Sequence, residues 1–314
     1  MRKRNSISYA KYGYIFSIPF VLAWLIFSLY PTLYTVVLGF TDLKGVGRTE
    51  WSFLEDIWSN YKVILRNRTF RYALGNTFKL WIINFIPQIV LALALAYTFT
   101  SRRLNIRAQG FFKVVFYMPN IITAATIAIL FNALFAYPKG PVNDILIQMG
   151  LREQPFNYAL DRSSASLIVS FIQFWMWYGS TMIILIAGIT GINPEIFESA
   201  ECDGANDIQT FFHITLPNLR TILLYVLVTS SIGGLNMFDI PRLFLNGGPD
   251  NATLTVSMFI YNQAFSGSYL YNRASAASMI LFLIVVVLSS ILFFLLRDRD
   301  KTRFTRGAKN ESGK

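Results

Sequence analysis

Amide, hydroxyl and aromatic side chains recur inside otherwise apolar segments of this 314-residue chain. An amide both donates and accepts hydrogen bonds, and an aromatic face stacks on the C–H face of a sugar, so this combination suits a polar, uncharged solute. The candidate residues for a substrate path are Asn120, Thr123, Gln173, Trp177, Tyr178, Ser230, Gly234 and Asn236. Polar side chains in a bundle also bond to neighbouring helices, and glycine permits close packing, so packing remains the alternative role for each of them.

Residues for catalysis or metal binding are scarce. The chain has one histidine, His213, and one cysteine, Cys202, which excludes an intrachain disulfide and any multi-Cys or multi-His metal site. No nucleophile–base pair occurs within an apolar segment. We therefore expect a chain without enzymatic activity of its own.

The composition is typical of a membrane protein. Hydrophobic residues make up 54% of the chain and charged residues 14%, and the mean hydropathy is +0.45. We predict an all-α, polytopic membrane protein with six transmembrane helices. The predicted spans cover residues 14–38, 78–97, 114–136, 165–188, 221–238 and 274–296. We expect a kink at Pro119 in the third span, and an amphipathic interfacial helix from residues 61–65 and 70–74 before the second.

The net charge of +11 comes from basic residues that flank the predicted spans. Four lie in the N-terminal tail 1–13, three lie between residues 102 and 107, and seven lie in the C-terminal tail 297–314. Short basic segments beside spans mark the cytoplasmic side of a membrane, so we predict that both termini and the loop 193–217 are cytoplasmic. This distribution does not favour a nucleic-acid partner.

The chain offers no energy source of its own. Lys79 is the only Asp, Glu, Lys, Arg or His residue in the predicted spans, whereas ion-coupled carriers usually keep a carboxylate near the membrane midplane. The sequence also lacks the G-x4-G-K-[ST] loop that binds ATP phosphates. A separate ATPase is therefore predicted. An ion-coupled carrier or channel, and a membrane enzyme or scaffold, remain alternatives.

The loop Asn193–Pro217 is predicted to form two short helices. Asn193 suits an N-cap, Pro194 suits the first helical position, and Gly204 suits a left-handed helix end. A second helix is expected to begin near Asn206 and to end at Pro217. Its apolar residues, at three- and four-residue steps, are Ile208, Phe211, Phe212 and Ile214 or Thr215. An ordered loop with an exposed aromatic face is typical of a docking element.

The same loop carries a family resemblance. Glu198-Ser199-Ala200, then Gly204, then Ile214-Thr215-Leu216-Pro217 follow the spacing E-A-A-x3-G-x9-I-x-L-P, with Ser199 in place of an alanine. This pattern resembles the cytoplasmic EAA loop of binding-protein-dependent ABC importer permeases, and the resemblance implies the type I ABC importer permease fold. It also implies that the loop enters a cleft of the ATPase. The residues expected to make this contact are Glu195, Glu198, Ala200, Asp203, Gly204, Ala205, Phe211, Phe212, Leu216 and Pro217.

The resemblance implies partners as well. These are a second, related permease subunit, two ATP-binding subunits that hold ATP and Mg²⁺, an extracytoplasmic solute-binding protein, a carbohydrate substrate and the lipid bilayer of a bacterial cytoplasmic membrane. This chain itself would bind no cofactor and no metal.

A second motif lies on the predicted outer side. Asn246-Gly247-Gly248-Pro249, followed by Ala252-Thr253, resembles an outer loop of the carbohydrate branch, which includes maltose, multiple-sugar and glycerol-phosphate permeases. The resemblance implies that Asn246, Gly247, Gly248 and Pro249 contact the binding protein. Asn120, Gln173 and Gly234 match positions that line the sugar path of maltose-permease-like subunits. A glycerol-phosphate or another polar solute is the alternative substrate.

Overall fold

The computed structural model describes residues 10–101, 104, 106–267 and 269–296. Most of these residues are helical, and the only β-pairing among them is an isolated antiparallel bridge between Thr41 and Phe53. The predicted orientation depends largely on basic residues in the N-terminal tail, Arg102, Arg103 and the tail 297–314. Residues 1–9, 102, 103 and 297–314 lie outside the described part of the chain.

The helices are numbered in chain order. The first eight are α1 (Ala10–Trp24), α2 (Tyr30–Leu38), α3 (Ser59–Arg66), α4 (Arg68–Thr100), α5 (Gln109–Ile121), α6 (Ala124–Leu134), α7 (Pro141–Gln148) and α8 (Arg162–Thr190). The remaining helices are α9 (Pro194–Cys202), α10 (Asp207–Thr210), α11 (Leu216–Asn218), α12 (Arg220–Leu235), α13 (Asp239–Leu245), α14 (Val256–Phe265) and α15 (Tyr271–Leu296). π-helical turns at Leu25–Leu29 and Phe211–Thr215 join α1 to α2 and α10 to α11.

Five segments of the described chain are long and apolar enough to cross a membrane. They are Tyr12–Leu38, Arg68–Thr100, Arg162–Thr190, Arg220–Leu245 and Tyr271–Leu295, and α5 and α6 together would form a sixth. The all-α, multi-pass prediction is therefore confirmed.

The predicted third span is not one helix kinked at Pro119. Helix α5 passes through Pro119 and ends at Ile121, and α6 leaves it at an angle of 91°. Ile122 and Thr123 are extended, and Thr123 Oγ1 accepts the N–H of Thr126 at 3.3 Å. The break is therefore at the N-cap of α6, because proline removes only one helical hydrogen bond whereas an extended cap starts a new helix.

The predicted loop before the second span is largely helical. Helix α4 starts at Arg68 rather than at residue 78, and it continues through Pro87. Phe70, Ala73 and Thr77 recur at three- and four-residue steps and are buried, so packing stabilises this polar extension of the span. The expected interfacial helix is divided, since residues 61–65 belong to α3 and residues 70–74 to α4.

The fifth span also differs from its predicted range. Helix α12 ends at Leu235, short of residue 238, and the N–H of Asn236 closes it with a 3.2 Å bond to the Ile232 carbonyl. Three non-helical or capping residues then separate α12 from α13.

The described residues form two compact units. The first, within Met1–Asn67 and Ile260–Ile280, contains a buried amide network. Asn60 Nδ2 donates to the carbonyls of Gly39 (2.9 Å) and Thr41 (3.0 Å), and Asn272 Nδ2 donates to Thr41 O and Asn60 Oδ1, both at 3.2 Å. These hydrogen bonds satisfy the buried amides, mainly with backbone carbonyls that follow the end of α2.

The second unit, within Arg68–Phe259 and Leu281–Lys314, is organised around α8, which packs against α4, α5, α12 and α13. One buried cluster contains Leu80, Ile127, Ala128, Phe131, Ile168, Val169, Ile172, Met176, Met237, Ile240 and Phe244. The other contains Ala92, Ala96, Phe99, Met182, Leu185, Ile189 and Leu219.

Helix α8 begins at an N-cap residue, Asp161, and comes very close to α5 at Gly179. The Asp161 carboxylate accepts the N–H of Ser164 at 2.7 Å as the N-cap, and this hydrogen bond lowers the pKa of Asp161 below its ordinary value. At Gly179 the helix touches α5, where an added Cβ would overlap the carbonyl oxygen of Phe116. Glycine at this position allows the two backbones to meet.

Candidate functional site

The segment 193–217 folds locally as its sequence predicts at its first helix. The Asn193 side chain accepts the N–H of Glu195 at 3.2 Å and caps α9, with Pro194 in the first turn. Ser199 Oγ donates to the Glu195 carbonyl at 2.8 Å. The capped, proline-started helix is thus confirmed.

Helix α9 ends in a Schellman motif. The Gly204 N–H donates to Glu201 O at 3.1 Å, and the Ala205 N–H donates to Ala200 O at 2.9 Å. Gly204 has φ +77°, the left-handed conformation that glycine adopts without steric cost. Ala200 is buried beneath this turn. The predicted end at Gly204 is confirmed.

Helix α10 has a capping box, since Asn206 Oδ1 accepts the Gln209 N–H at 2.8 Å and Gln209 Oε1 accepts the Asn206 N–H at 2.9 Å. The helical stretch that begins with α10 ends at Asn218, one residue beyond the predicted end at Pro217, and α12 begins at Arg220. The chain continues through the π turn, where the Leu216 N–H bonds to Phe211 O, into α11 and α12. The wider turn accommodates Pro217, whose missing N–H leaves one ladder position empty.

The predicted apolar face of the segment is divided between solvent and protein. Ile208 is 71% exposed and Phe212 is 56% exposed. Phe211 instead contacts Tyr97 of α4 edge-on, with ring centroids 5.1 Å apart, and Thr215 is fully buried. Ile208 and Phe212, four residues apart, therefore present apolar surface away from the protein.

The predicted ATPase-contact residues differ in exposure. Glu195, Glu198, Asp203, Gly204, Phe212 and Pro217 are exposed, Ala205, Phe211 and Leu216 are half-buried, and Ala200 is buried. A small cavity of about 220 Å³ lies behind the segment, lined by α9, α10 and the ends of α4 and α8.

A larger cavity of about 440 Å³ is enclosed by α4, α8 and α12 with residues of α6 and α13. Its polar lining includes Asn84, Gln88, Gln173, Thr181, Ser230 and Asn236, and its indoles are Trp81 and Trp177. Among the described lining residues Asp239 is the only charged one.

Internal hydrogen bonds organise this polar lining. Gln88 Nε2 donates to Thr181 Oγ1 at 2.8 Å, which joins α4 to α8. The Trp177 N–H donates to Gln173 Oε1 at 3.2 Å. The Trp81 N–H donates to Ser230 Oγ at 3.2 Å, which joins α4 to α12. These bonds hold the side chains in place around a space large enough for a small polar solute.

Hydrogen bonds connect the Gly-Gly-Pro motif and the residues that follow it to one another and to α4. Asn76 Nδ2 donates to Asn251 O at 2.6 Å, Thr77 Oγ1 accepts the Val256 N–H at 3.0 Å, and Thr253 Oγ1 donates to Gly248 O at 2.7 Å. Asn246 is exposed, Gly248 and Pro249 are half-buried, and Gly247 is buried with φ +86°.

Comparisons with known proteins agree with this architecture. The family described as binding-protein-dependent transport system inner membrane component matches residues 88–303. The chain belongs to this family. It is 31% identical over 290 residues to the lactose transport system permease protein of Rhizobium radiobacter, covering 91% of this chain and 94% of that protein.

A second relative and a solved structure give similar coverage. The arabinooligosaccharides transport system permease protein of Bacillus subtilis is 32% identical over 284 residues, covering 88% of this chain and 86% of that protein. The crystal structure of a bacterial ABC transporter that imports the acidic polysaccharide alginate matches with a TM-score of 0.74 and 22% identity, over 90% of this chain and 94% of that one. The latter similarity establishes the fold.

Five of the eight predicted substrate-path residues of this permease line the larger cavity: Gln173, Trp177, Ser230, Gly234 and Asn236. Three do not. Asn120 Nδ2 donates to Met176 O at 3.3 Å, Thr123 caps α6, and Tyr178 is buried between Phe116 and Phe174. Thr123 thus serves the break in the third span, whereas Asn120 joins α5 to α8.

Sequence reasoning missed the contribution of α4 to the cavity. Trp81, Asn84 and Gln88 lie three and four residues apart on one face of that helix, and all three line the cavity. The sequence did contain a signal for this face, because polar residues recur there at helical spacing within an apolar segment. Asp239 was missed because it lies beyond the predicted end of the fifth span.

Proposed function

We propose that this permease carries a neutral sugar or short oligosaccharide across the bacterial cytoplasmic membrane as one subunit of an ATP-driven importer. The observation that carries the proposal is the cavity lined by amides, hydroxyls and two indoles, one wall of which, α12, continues directly from the segment 193–217. The similarity to lactose and arabinooligosaccharide permeases supports the same substrate class.

The charge of the lining favours a neutral substrate over a phosphorylated one. Phosphate and carboxylate groups are generally held by Arg or Lys. The described lining has no Lys, Arg or His, and its single charged group is the exposed carboxylate of Asp239. An anion would be repelled at this wall, which disfavours the glycerol-phosphate alternative.

The energy would come from two ATP-binding subunits that hold ATP and Mg²⁺. The exposed Ile208 and Phe212, beside the ordered turn at Gly204, suit a surface that enters a cleft of such a partner. Both termini would then face the cytoplasm with this segment. On the opposite side, the loop at Asn246–Pro249 would contact the solute-binding protein, and a second, related permease subunit would complete the path.

Transport would proceed by alternating access. Closure of the ATPase pair would displace α9 and α10. The backbone hydrogen bonds from the Leu219 N–H to the Thr215 carbonyl and from the Leu223 N–H to the Leu219 carbonyl would transmit the movement to α12. Because α12 carries Ser230 and Gly234, this displacement would change the cavity wall.

The thiol of Cys202 provides a direct test of the ATPase contact. It is exposed at the end of α9 and is the only cysteine of the chain. A cleavable photo-crosslinker on Cys202 in inside-out vesicles is expected to capture the ATPase subunit. Right-side-out vesicles and Cys202→Ser are the controls. Labelling from the outer side, or inside labelling without an ATPase adduct, would contradict the topology and the coupling.

Transport itself distinguishes the proposal from an ion-coupled carrier or channel. The assembled importer, reconstituted with its binding protein, is expected to take up a neutral sugar only with ATP inside the proteoliposomes. A panel of matched neutral, acidic and phosphorylated sugars identifies the substrate. Uptake by this chain without an ATPase partner would select the carrier or channel.

A further inference from the structure

Trp81 occupies a position in the cavity that no sequence motif indicated. It lies on α4 and is only 8% exposed, yet it lines the cavity that also contains Trp177, which is 49% exposed on α8. The Trp81 ring also stacks with Phe85, with centroids 5.9 Å apart and planes inclined by 24°.

Both indoles have their polar group satisfied by the protein. The Trp81 N–H donates to Ser230 Oγ and the Trp177 N–H to Gln173 Oε1, each at 3.2 Å. The two rings therefore offer the cavity mainly hydrocarbon surface. Such surface complements the C–H faces of a pyranose ring, whereas the neighbouring amides complement its hydroxyls.

Gly234 determines where the Trp81 ring can lie. A Cβ added to Gly234 would overlap Cδ1 of Trp81, and it would come within 2.6 Å of Cγ and 2.9 Å of Nε1. These atoms belong to the base and the pyrrole edge of the side chain, so no simple rotation of a flexible end would relieve the contact. A side chain at 234 would displace the indole or separate α12 from α4.

We infer that Trp81 is a sugar-stacking residue of this permease and that the absence of a side chain at Gly234 fixes its position against α12. The inference rests on the proposed function. Trp81 and Gly234 together form part of the cavity wall between α4 and α12, and their contact sets how far the indole extends into the path. Substrate affinity therefore depends on the pair rather than on either residue alone.

The test uses the whole importer in proteoliposomes with a neutral sugar identified by the uptake panel. Trp81→Leu is expected to raise the KM for uptake about three- to tenfold, the range of a lost aromatic contact, when the variants are compared at equal amounts of assembled importer. Trp81→Phe, which retains a ring, is expected to raise the KM less. Equal KM values for wild type, Phe and Leu variants would overturn the stacking role.

The pair is tested by a double-mutant cycle with Trp81→Ala. Gly234→Ala is expected to raise the KM in the native background and to have little further effect when Trp81 is already alanine. Gly75→Ala on α4, where an added Cβ meets nothing within 4 Å, is the matched control. Additive effects of Gly234→Ala and Trp81→Ala would overturn the positional coupling.

A second measurement does not depend on folding of the variants. A photoreactive derivative of the transported sugar, bound to the wild-type importer, is expected to label the α4 peptide containing Trp81. Labelling of α8 without α4 would overturn the stacking role of Trp81, but it would agree with the proposed function as a sugar importer. Absence of ATP-dependent uptake for every sugar would instead refute the proposed function.

Discussion

The hydroxyl of Tyr97 donates a 2.9 Å hydrogen bond to the carbonyl oxygen of Asp207, and the Tyr97 ring packs edge-on against Phe211. One residue near the end of α4 thus holds both the start of α10 and the π turn that follows it. The end of a cavity-lining helix and the proposed ATPase contact are joined at this point.

Tyr97→Phe is expected to weaken this connection while retaining the ring. A hydrogen bond of this kind contributes about 1 kcal/mol, so substrate-stimulated ATP hydrolysis should fall several-fold with assembly preserved. Tyr97→Leu, which also loses the ring contact, should have a larger effect. The control is Tyr137→Phe at an exposed position. Equal stimulation in all variants would show that this contact does not participate in coupling.

Gly204→Asp is expected to uncouple ATP hydrolysis from transport or to prevent assembly. A side chain at φ +77° costs roughly 1–2 kcal/mol, and the charge would lie on the surface proposed to meet the ATPase. Co-purification of the ATPase and uptake per ATP hydrolysed are the measurements. Gly191→Ala is the control, because Gly191 has φ −81° and an added Cβ there makes only ordinary contacts. Normal coupled uptake by the Asp variant would count against the model.

Replacing Gln173 is expected to alter uptake without loss of assembly. Gln173 lines the cavity and accepts the Trp177 N–H, so Gln173→Leu removes one polar contact for substrate and leaves the indole N–H unpaired. A raised KM with normal recovery of the complex is expected. Loss of the complex would instead favour a packing role for this amide.

Asp239 is expected to disfavour anionic sugars. Asp239→Lys reverses the charge of the only charged residue in the described lining, so a uronate-containing oligosaccharide should compete with the neutral substrate better in this variant than in the wild type. Competition is measured in proteoliposomes at low and high salt, since screening weakens the effect. Asp239→Asn should lie between the two. Identical competition by neutral and acidic sugars in all three proteins would refute charge selection.

Gly179→Ala is expected to destabilise the subunit strongly. The added methyl would meet the backbone of Phe116 and Tyr117 on α5, which cannot yield as a side chain would, so a loss of about 1–3 kcal/mol or more is expected. Thermal unfolding and yield in detergent report the change. Gly110→Ala, where an added Cβ meets nothing within 4 Å, should be nearly neutral. Equal stability of the two variants would contradict the close crossing.

Local features were predictable because neighbouring residues determine them. The cap at Asn193, the helix start at Asn206 and the left-handed Gly204 follow from hydrogen bonds and sterics within a few residues. The break at Ile122–Thr123 was not predictable in this way. It contains neither glycine nor proline, whereas helices α4 and α5 pass through Pro87 and Pro119.

Tertiary features needed the structure. The sequence indicates that Gly234 and Trp81 lie on different spans, but their contact depends on how α4 and α12 pack. Likewise, Tyr178 follows Trp177 directly, yet its side chain is buried whereas Trp177 is exposed to the cavity. The rotation of α8 about its axis determines which of these two side chains faces the cavity. The spacing of apolar residues in the sequence did not predict that rotation.

Only Leu219 separates α11 from α12, and the N–H groups of Leu219 and Leu223 donate to the carbonyls of Thr215 and Leu219, so the chain from Phe212 to Gly234 keeps a set helical rotation. Each residue of an α-helix turns the chain by about 100°, so inserting one residue between them would rotate Ser230 and Gly234 away from the cavity while leaving the exposed aromatic ring in place. The number of residues in this segment, as much as their types, therefore sets how the exposed Phe212 is oriented relative to the cavity wall at Ser230 and Gly234.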